Sequence, residues 1–215
     1  MSQARGTERF YNEVAGANLA RLTAISDGIF AVSMTLLVLG LAVPAVAAVK
    51  TEGDLLGQLH DMLPAVVTYF MSFLTLGIFW VGQQTQLSEV QRANRAYTWI
   101  HLVFLLSVTL VPFSTQLLAR FHWSRTALVL YWLNIAVMGT TLLLGAEHAA
   151  RVGLFPREVA PTLLRLVRRR VYGAQALYLV GLLLSVFDPH WSIAFIVAIQ
   201  LNFAIAPPIP LLRSI

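Results

Sequence analysis

Few side chains in this chain are equipped for chemistry, and the one that stands out is Asp27. Of ten acidic residues it alone falls inside a long apolar run, residues 25–49, where an ionisable group costs about 2.5–3.5 kcal/mol to insert into a bilayer. A carboxylate in that position points to ion or proton handling, to a structural polar network, or to a helix-start acid stabilised by the positive end of the helix dipole. Arg21 is the nearest cation in sequence. Six residues along a helix turn through about 600°, leaving it about 120° from the same face, so any pairing needs a neighbouring helix or subunit.

Other chemistries are excluded quickly. There is no cysteine, hence no disulfide framework, thiolate metal site or cysteine nucleophile. No HExxH, GxSxG or phosphate-binding glycine loop occurs, and no span carries paired carboxylates, so no catalytic turnover and no cofactor are expected. His60, His101, His122, His148 and His190 lie near expected span ends without metal-ligand spacing and read as interfacial side chains. Glu147 and His148 are adjacent, which on a helix points them about 100° apart.

The elements that must position Asp27 follow from composition. The chain has 215 residues, 58% apolar and 12% charged, against roughly 25% charged in an ordinary soluble domain. That apolar share is enough for about six helices of roughly 20 residues each and excludes a disordered or nucleic-acid tail protein. Apolar runs place spans at about 22–44, 62–84, 97–118, 125–146, 171–187 and 190–207, with Asp188, Pro189 and His190 as a tight hairpin between the last two and Glu52, Asp54 and Asp61 in an acidic linker. Five spans, with the last pair fused or one re-entrant, is the competing count. The small residues at 42–48 resemble a signal-peptide cleavage site, but the apolar core before them is too long and holds an acid. No internal repeat is visible.

With six spans, Arg5, Arg9, Arg21, Arg92, Arg95, Arg151, Arg157, Arg165, Arg168, Arg169, Arg170 and Arg213 fall on one side and Lys50, Arg120 and Arg125 on the other. The asymmetry puts both termini in the cytoplasm of a multi-pass membrane protein. Adjacent Arg168, Arg169 and Arg170 read as a topology anchor against anionic membrane lipid. Trp80, Trp99, Trp123, Trp132 and Trp191 stand where span ends are expected and read as interfacial anchors.

On a helical wheel with Val32 at zero, Leu39 falls at about −20°, Leu36 at about +40°, Thr35 at about −60° and Gly28 at about −40°. Asp27 lies about 140° away. The first span therefore carries a narrow apolar seam with a threonine beside it. Such a seam alone is ordinary for helix packing, and the small Ser26, Gly28, Ala31, Ser33 and Thr35 allow close helix approach.

The string RLTAISDGIFAVSMTLLVL closely resembles the first-helix signature of the bacterial relatives of transmembrane protein 175, the endolysosomal potassium channel. Arg21, Ser26, Asp27, Gly28, Phe30, Thr35, Leu36, Leu37, Val38 and Leu39 match it, and Ile25 replaces the usual Phe. Residues 72–84 and 110–121 look like the family's second and third helices. The resemblance implies an all-α integral membrane protein of six helices per subunit, in the bacterial cell membrane, assembled as a homotetramer with the first helix lining a central pore. It implies passive, potassium-preferring conduction of monovalent cations past apolar rings at Val32, Leu36 and Leu39, with Thr35 contributing to ion preference. It also implies a polar network holding the first helix, here Arg21, Ser26 and Asp27 with Gln83 and Gln84, which stand where the family has a histidine pair. Glutamine can hydrogen-bond but cannot titrate. Val32 is smaller than the Ile or Leu usual at the narrowest ring, which implies a wider constriction.

Two readings from other classes compete. A secondary or proton-coupled transporter centred on Asp27 would show saturable, pH-dependent uptake, and a membrane scaffold without a pore would remain monomeric in mild detergent.

Overall fold

A computed structural model describes residues 18–205, and every structural statement concerns these. Arg5, Arg9 and Arg213 of the charge count, and the last two residues of the 190–207 span, lie outside them. The described chain holds α-helices and one 3-10 turn: α1 Leu19–Val38, the turn Val46–Ala48, α2 Glu52–Asp61, α3 Leu63–Ser88, α4 Arg95–Thr109, α5 Val111–Arg120, α6 Arg125–Arg151, α7 Ala160–Leu184 and α8 Pro189–Ile205. Four stretches are long and apolar enough to cross a membrane: α1, α3, α4 with α5 as one stretch Arg95–Arg120, and α6. Large apolar side chains such as Phe70, Leu106, Phe113, Leu133 and Leu183 are exposed, as a lipid-facing surface requires.

Helix boundaries depart from the sequence-based spans for local reasons. The first was expected to run to residue 44 but α1 stops at Val38. Pro44 disfavours helix at the residue before it, and Gly40 abuts α5 so closely that a Cβ there would sit 3.1 Å from Gln116 Cγ. The acidic linker is instead the helix α2. Thr51 caps it, its hydroxyl accepting from the Asp54 N–H (3.2 Å), while Asp54 Oδ2 accepts from the backbone N–H groups of Lys50 (3.0 Å) and Thr51 (2.9 Å). Those backbone donors hold the Asp54 carboxyl below the usual carboxylate range. The fifth run begins eleven residues before position 171, so Arg165, Arg168, Arg169 and Arg170 stand on α7 rather than in a loop.

The third run is broken at Leu110, between α4 and α5, because Pro112 has no N–H to carry the ladder onward. A side chain from α6 repairs the break. With its amide nitrogen turned toward α4, Asn134 donates to the Ser107 carbonyl (3.0 Å) and accepts from the Val111 N–H (3.2 Å).

α1 packs on α3, α4 and α5. α4 packs on α6, α6 on α7, α7 on α8, and α8 returns to α3. One core layer lies at the end of the bundle where α1 begins and joins Leu22, Val90, Tyr97, Leu154 and Leu163. There the Gln91 N–H donates to the Leu154 carbonyl (2.9 Å), tying the α3–α4 loop to the α6–α7 loop. Gly153, at φ 69°, turns the chain out of α6, and the Leu154 N–H closes back on the Ala149 carbonyl (2.9 Å). Deeper in the bundle a chain of buried hydroxyls crosses five helices. Thr115 donates to Ser72 (2.6 Å), Ser72 to the Tyr131 hydroxyl (3.2 Å), and Gln200 Nε2 to both Thr75 (2.6 Å) and the Tyr178 hydroxyl (3.2 Å).

Asn134→Leu removes both bonds that patch the α4–α5 break. It should lower the stability of the full chain in detergent by about 1–2 kcal/mol. An earlier midpoint in a denaturing-detergent titration is expected, and an unchanged midpoint would show that Asn134 does not support the break.

Candidate functional site

α1 has two faces of different character. Leu22, Ser26, Phe30, Ser33 and Leu37 recur at helical spacing and are buried against the other helices. The opposite side leaves Val32 56% exposed, Leu36 41% and Leu39 71%, with Gly28 and Thr35 also exposed. A Cβ added at Gly28 would meet nothing within 4 Å, so packing inside this chain does not require glycine there. The Thr35 hydroxyl donates to the Val32 carbonyl (2.8 Å). Its proton is thus used locally, and its oxygen lone pairs are left to accept from water or meet a cation.

The residues expected to form one polar network are divided into two. Asp27 Oδ1 accepts from Trp80 Nε1 (3.0 Å) and Gln84 Nε2 (2.6 Å), both on α3. Ser26 belongs to the second group: its hydroxyl lies 2.7 Å from His101 Nε2 on α4, and Gln83 Nε2 lies 3.4 Å from the same nitrogen. Ser26, Gln83 and His101 are all buried. The division follows from helix geometry, since neighbours on a helix point about 100° apart. Gln83 turns inward to α4 while Gln84 turns to α1, and Ser26 and Asp27 part in the same way.

Arg21 joins neither group. Its side chain is exposed and has no hydrogen-bond or ion-pair partner among the described residues; its backbone N–H is taken by the Asn18 cap (3.1 Å). Trp80, expected as an interfacial anchor, is also a donor to Asp27. His101, expected at the interface, is buried. It occupies the inward stripe of α4 with Tyr97, Phe104, Leu105 and Val108, and that i, i+4, i+7, i+8, i+11 periodicity is the sequence signal that places it in the core. No group of three or more metal-ligating side chains occurs among the described residues.

Elsewhere, Glu147 pairs with Arg151 (3.0 Å) and Arg168 (3.0 Å), linking α6 to α7, and His148 Nε2 lies 3.2 Å from Asn94 Oδ1. These contacts fasten the end of the bundle where α1 begins.

Comparison with known proteins bears on the family and the fold. The family model described as endosomal/lysosomal potassium channel TMEM175 matches residues 21–112, which hold α1, α3 and α4 and both polar groups. A potassium channel of Streptomyces collinus is 35% identical over 147 residues, covering 66% of this chain and 70% of that protein. A potassium channel of Chamaesiphon minutus is 30% identical over 191 residues, covering 86% of this chain and 93% of its own. The crystal structure of a lysosomal potassium-selective channel TMEM175 homologue from Chamaesiphon minutus superposes with a TM-score of 0.75 at 28% identity, over 89% of this chain and 98% of that one. With the first-helix motif, the all-α membrane fold and relatives matched over most of their length, this chain belongs to the TMEM175 family of ion channels.

Proposed function

We propose that this chain is a potassium-preferring cation channel whose pore forms on the axis of a homotetramer, with α1 of each subunit facing the axis. The observation that carries the reading is the two-sided character of α1. One side is bonded into the subunit, while Val32, Leu36 and Leu39 stand clear of its core. Copies meeting on that face would build apolar rings at these positions, with Thr35 oxygens beside them, and such constrictions gate by dewetting. The open space at Gly28 suits close approach of a second backbone. The potassium channels named among the relatives support the choice of ion.

In this reading α1, α3, α4 with α5, α6, the apolar half of α7 and α8 make six crossings of the bacterial cell membrane, with both termini cytoplasmic. Arg21, Arg92, Arg95, Arg151 and the α7 arginines then share the cytoplasmic end, in keeping with the positive-inside rule. The polar groups at Ser26 and Asp27 set the rotation of α1 and so aim the seam.

Reconstituted protein should give a reversal potential that follows the potassium gradient, and Leu36→Ala or Leu39→Ala should raise conductance by widening a ring. Absence of cation flux at every voltage would contradict the channel reading, and saturable, pH-dependent uptake abolished by Asp27→Asn would assign a carrier.

Asp27→Asn keeps an oxygen for Trp80 and Gln84 and loses only the charge, whereas Asp27→Leu loses both bonds. Stability in detergent, followed by the thermal midpoint, should therefore fall in the order wild type, Asp27→Asn, Asp27→Leu, the last by about 1.5–3 kcal/mol. Equal midpoints for the two variants would show that the two hydrogen bonds do not hold α1.

A further inference from the structure

α6 and α7 run antiparallel and are clasped at two heights. At one, Gln175 Nε2 on α7 donates to the Ile135 carbonyl on α6 (3.2 Å), an approach that Gly139 permits because a Cβ there would run into the Gln175 amide. At the other, Arg168 Nε and its guanidinium nitrogen meet Glu147 Oε1 at 3.1 and 3.0 Å. Arg168 and Gln175 are seven residues apart, about 10 Å along the helix. Between the clasps the helices leave a groove of about 410 Å³, a volume in the range of ligand sites. Leu143, Leu144, Val171 and Tyr172 give it apolar walls, and Leu144 and Tyr172 are exposed at its rim.

The charged clasp is not neutral. Glu147 is shared by Arg168 and Arg151, so that triad carries excess positive charge. Arg165 and Arg169 add to it. On the α7 wheel they lie within about 60° of Tyr172, one to two turns along from it, and among the described residues neither has a partner. Arg170 lies about 140° from Arg165, on another face. A basic cluster above an apolar groove with an exposed rim is complementary to one kind of molecule, with an anionic head and an apolar tail.

We propose that the α6–α7 groove is a binding site for an anionic phospholipid, its phosphate on Arg165, Arg168 and Arg169 and an acyl chain along Leu143, Leu144 and Tyr172. The site is separate from the α1 face and does not depend on conduction. The lipid would bridge α6 and α7 in the stretch between the two clasps.

The test is native mass spectrometry of the full chain equilibrated with phosphatidylglycerol and phosphatidylcholine of the same acyl chains. Wild type should retain phosphatidylglycerol in clear preference. Arg165→Gln with Arg169→Gln, at positions that bond to nothing else described, should weaken phosphatidylglycerol retention on the order of tenfold. Arg157→Gln with Arg170→Gln removes the same charge off this face and should leave the preference in place. Thr140→Trp, at an exposed position on the groove wall, should reduce retention without changing charge. Equal retention of the two lipids by wild type, equal losses from both arginine pairs, or full retention by Thr140→Trp would each overturn the site. Disulfide-linked dimers formed in membranes by Tyr172→Cys, the only thiol in the chain, would assign the groove to a second copy and overturn it as well.

Discussion

α1 is held from one side only, and the rest of the architecture depends on it. Its inward stripe packs on α3, α4 and α5, and two polar contacts fix its rotation: Ser26 against His101, and Asp27 against Trp80 and Gln84. Every described partner of Asp27 is a neutral donor. The carboxylate is therefore located without burying an ion pair, whose desolvation would offset much of its attraction. Because adjacent residues diverge by about 100°, the two anchors grip α1 from two directions and allow little rotation. In the proposed channel the apolar seam is aimed by what is bonded behind it.

A helix fixed in this way needs a stiff partner. α3 is stiffened by the hydroxyl chain through Ser72, Thr75 and Tyr131, which reaches α5, α6, α7 and α8 in a region where unsatisfied polar groups are costly. The α4–α5 break is the opposite feature, a place where Pro112 frees backbone groups. Asn134 bonds two backbone groups at the bend, the Ser107 carbonyl and the Val111 N–H. Polar residues inside this bundle thus act mainly as joints between helices.

Much of this was legible in the sequence, and the rest was hidden for physical reasons. The wheel drawn at 100° per residue placed Val32, Leu36 and Leu39 together, and that face is exposed in the fold. Composition and apolar runs located the long helices, because burying backbone in lipid forces helix wherever such a run occurs. Boundaries were harder: Gly40 and Pro44 end α1 early, and α7 carries its arginines on the helix because nothing in residues 160–170 interrupts it. The division of the polar residues into two groups is hidden in the sequence, because sequence order does not reveal which of two adjacent glutamines faces which neighbour. His101 carries two opposing signals, nearness to a span end and the stripe it shares with Tyr97, Phe104 and Val108, and the stripe decides its burial.

The central claim is that the seam of α1 meets its own copies. The most direct measurement uses Leu36→Cys in this otherwise cysteine-free chain, oxidised in its membrane, with Leu133→Cys on exposed α6 as control. The account predicts disulfide-linked dimers and a change in potassium flux for Leu36→Cys, both reversed by reductant, and neither for Leu133→Cys. Monomers only, with flux unchanged by oxidation at Leu36→Cys, would contradict it.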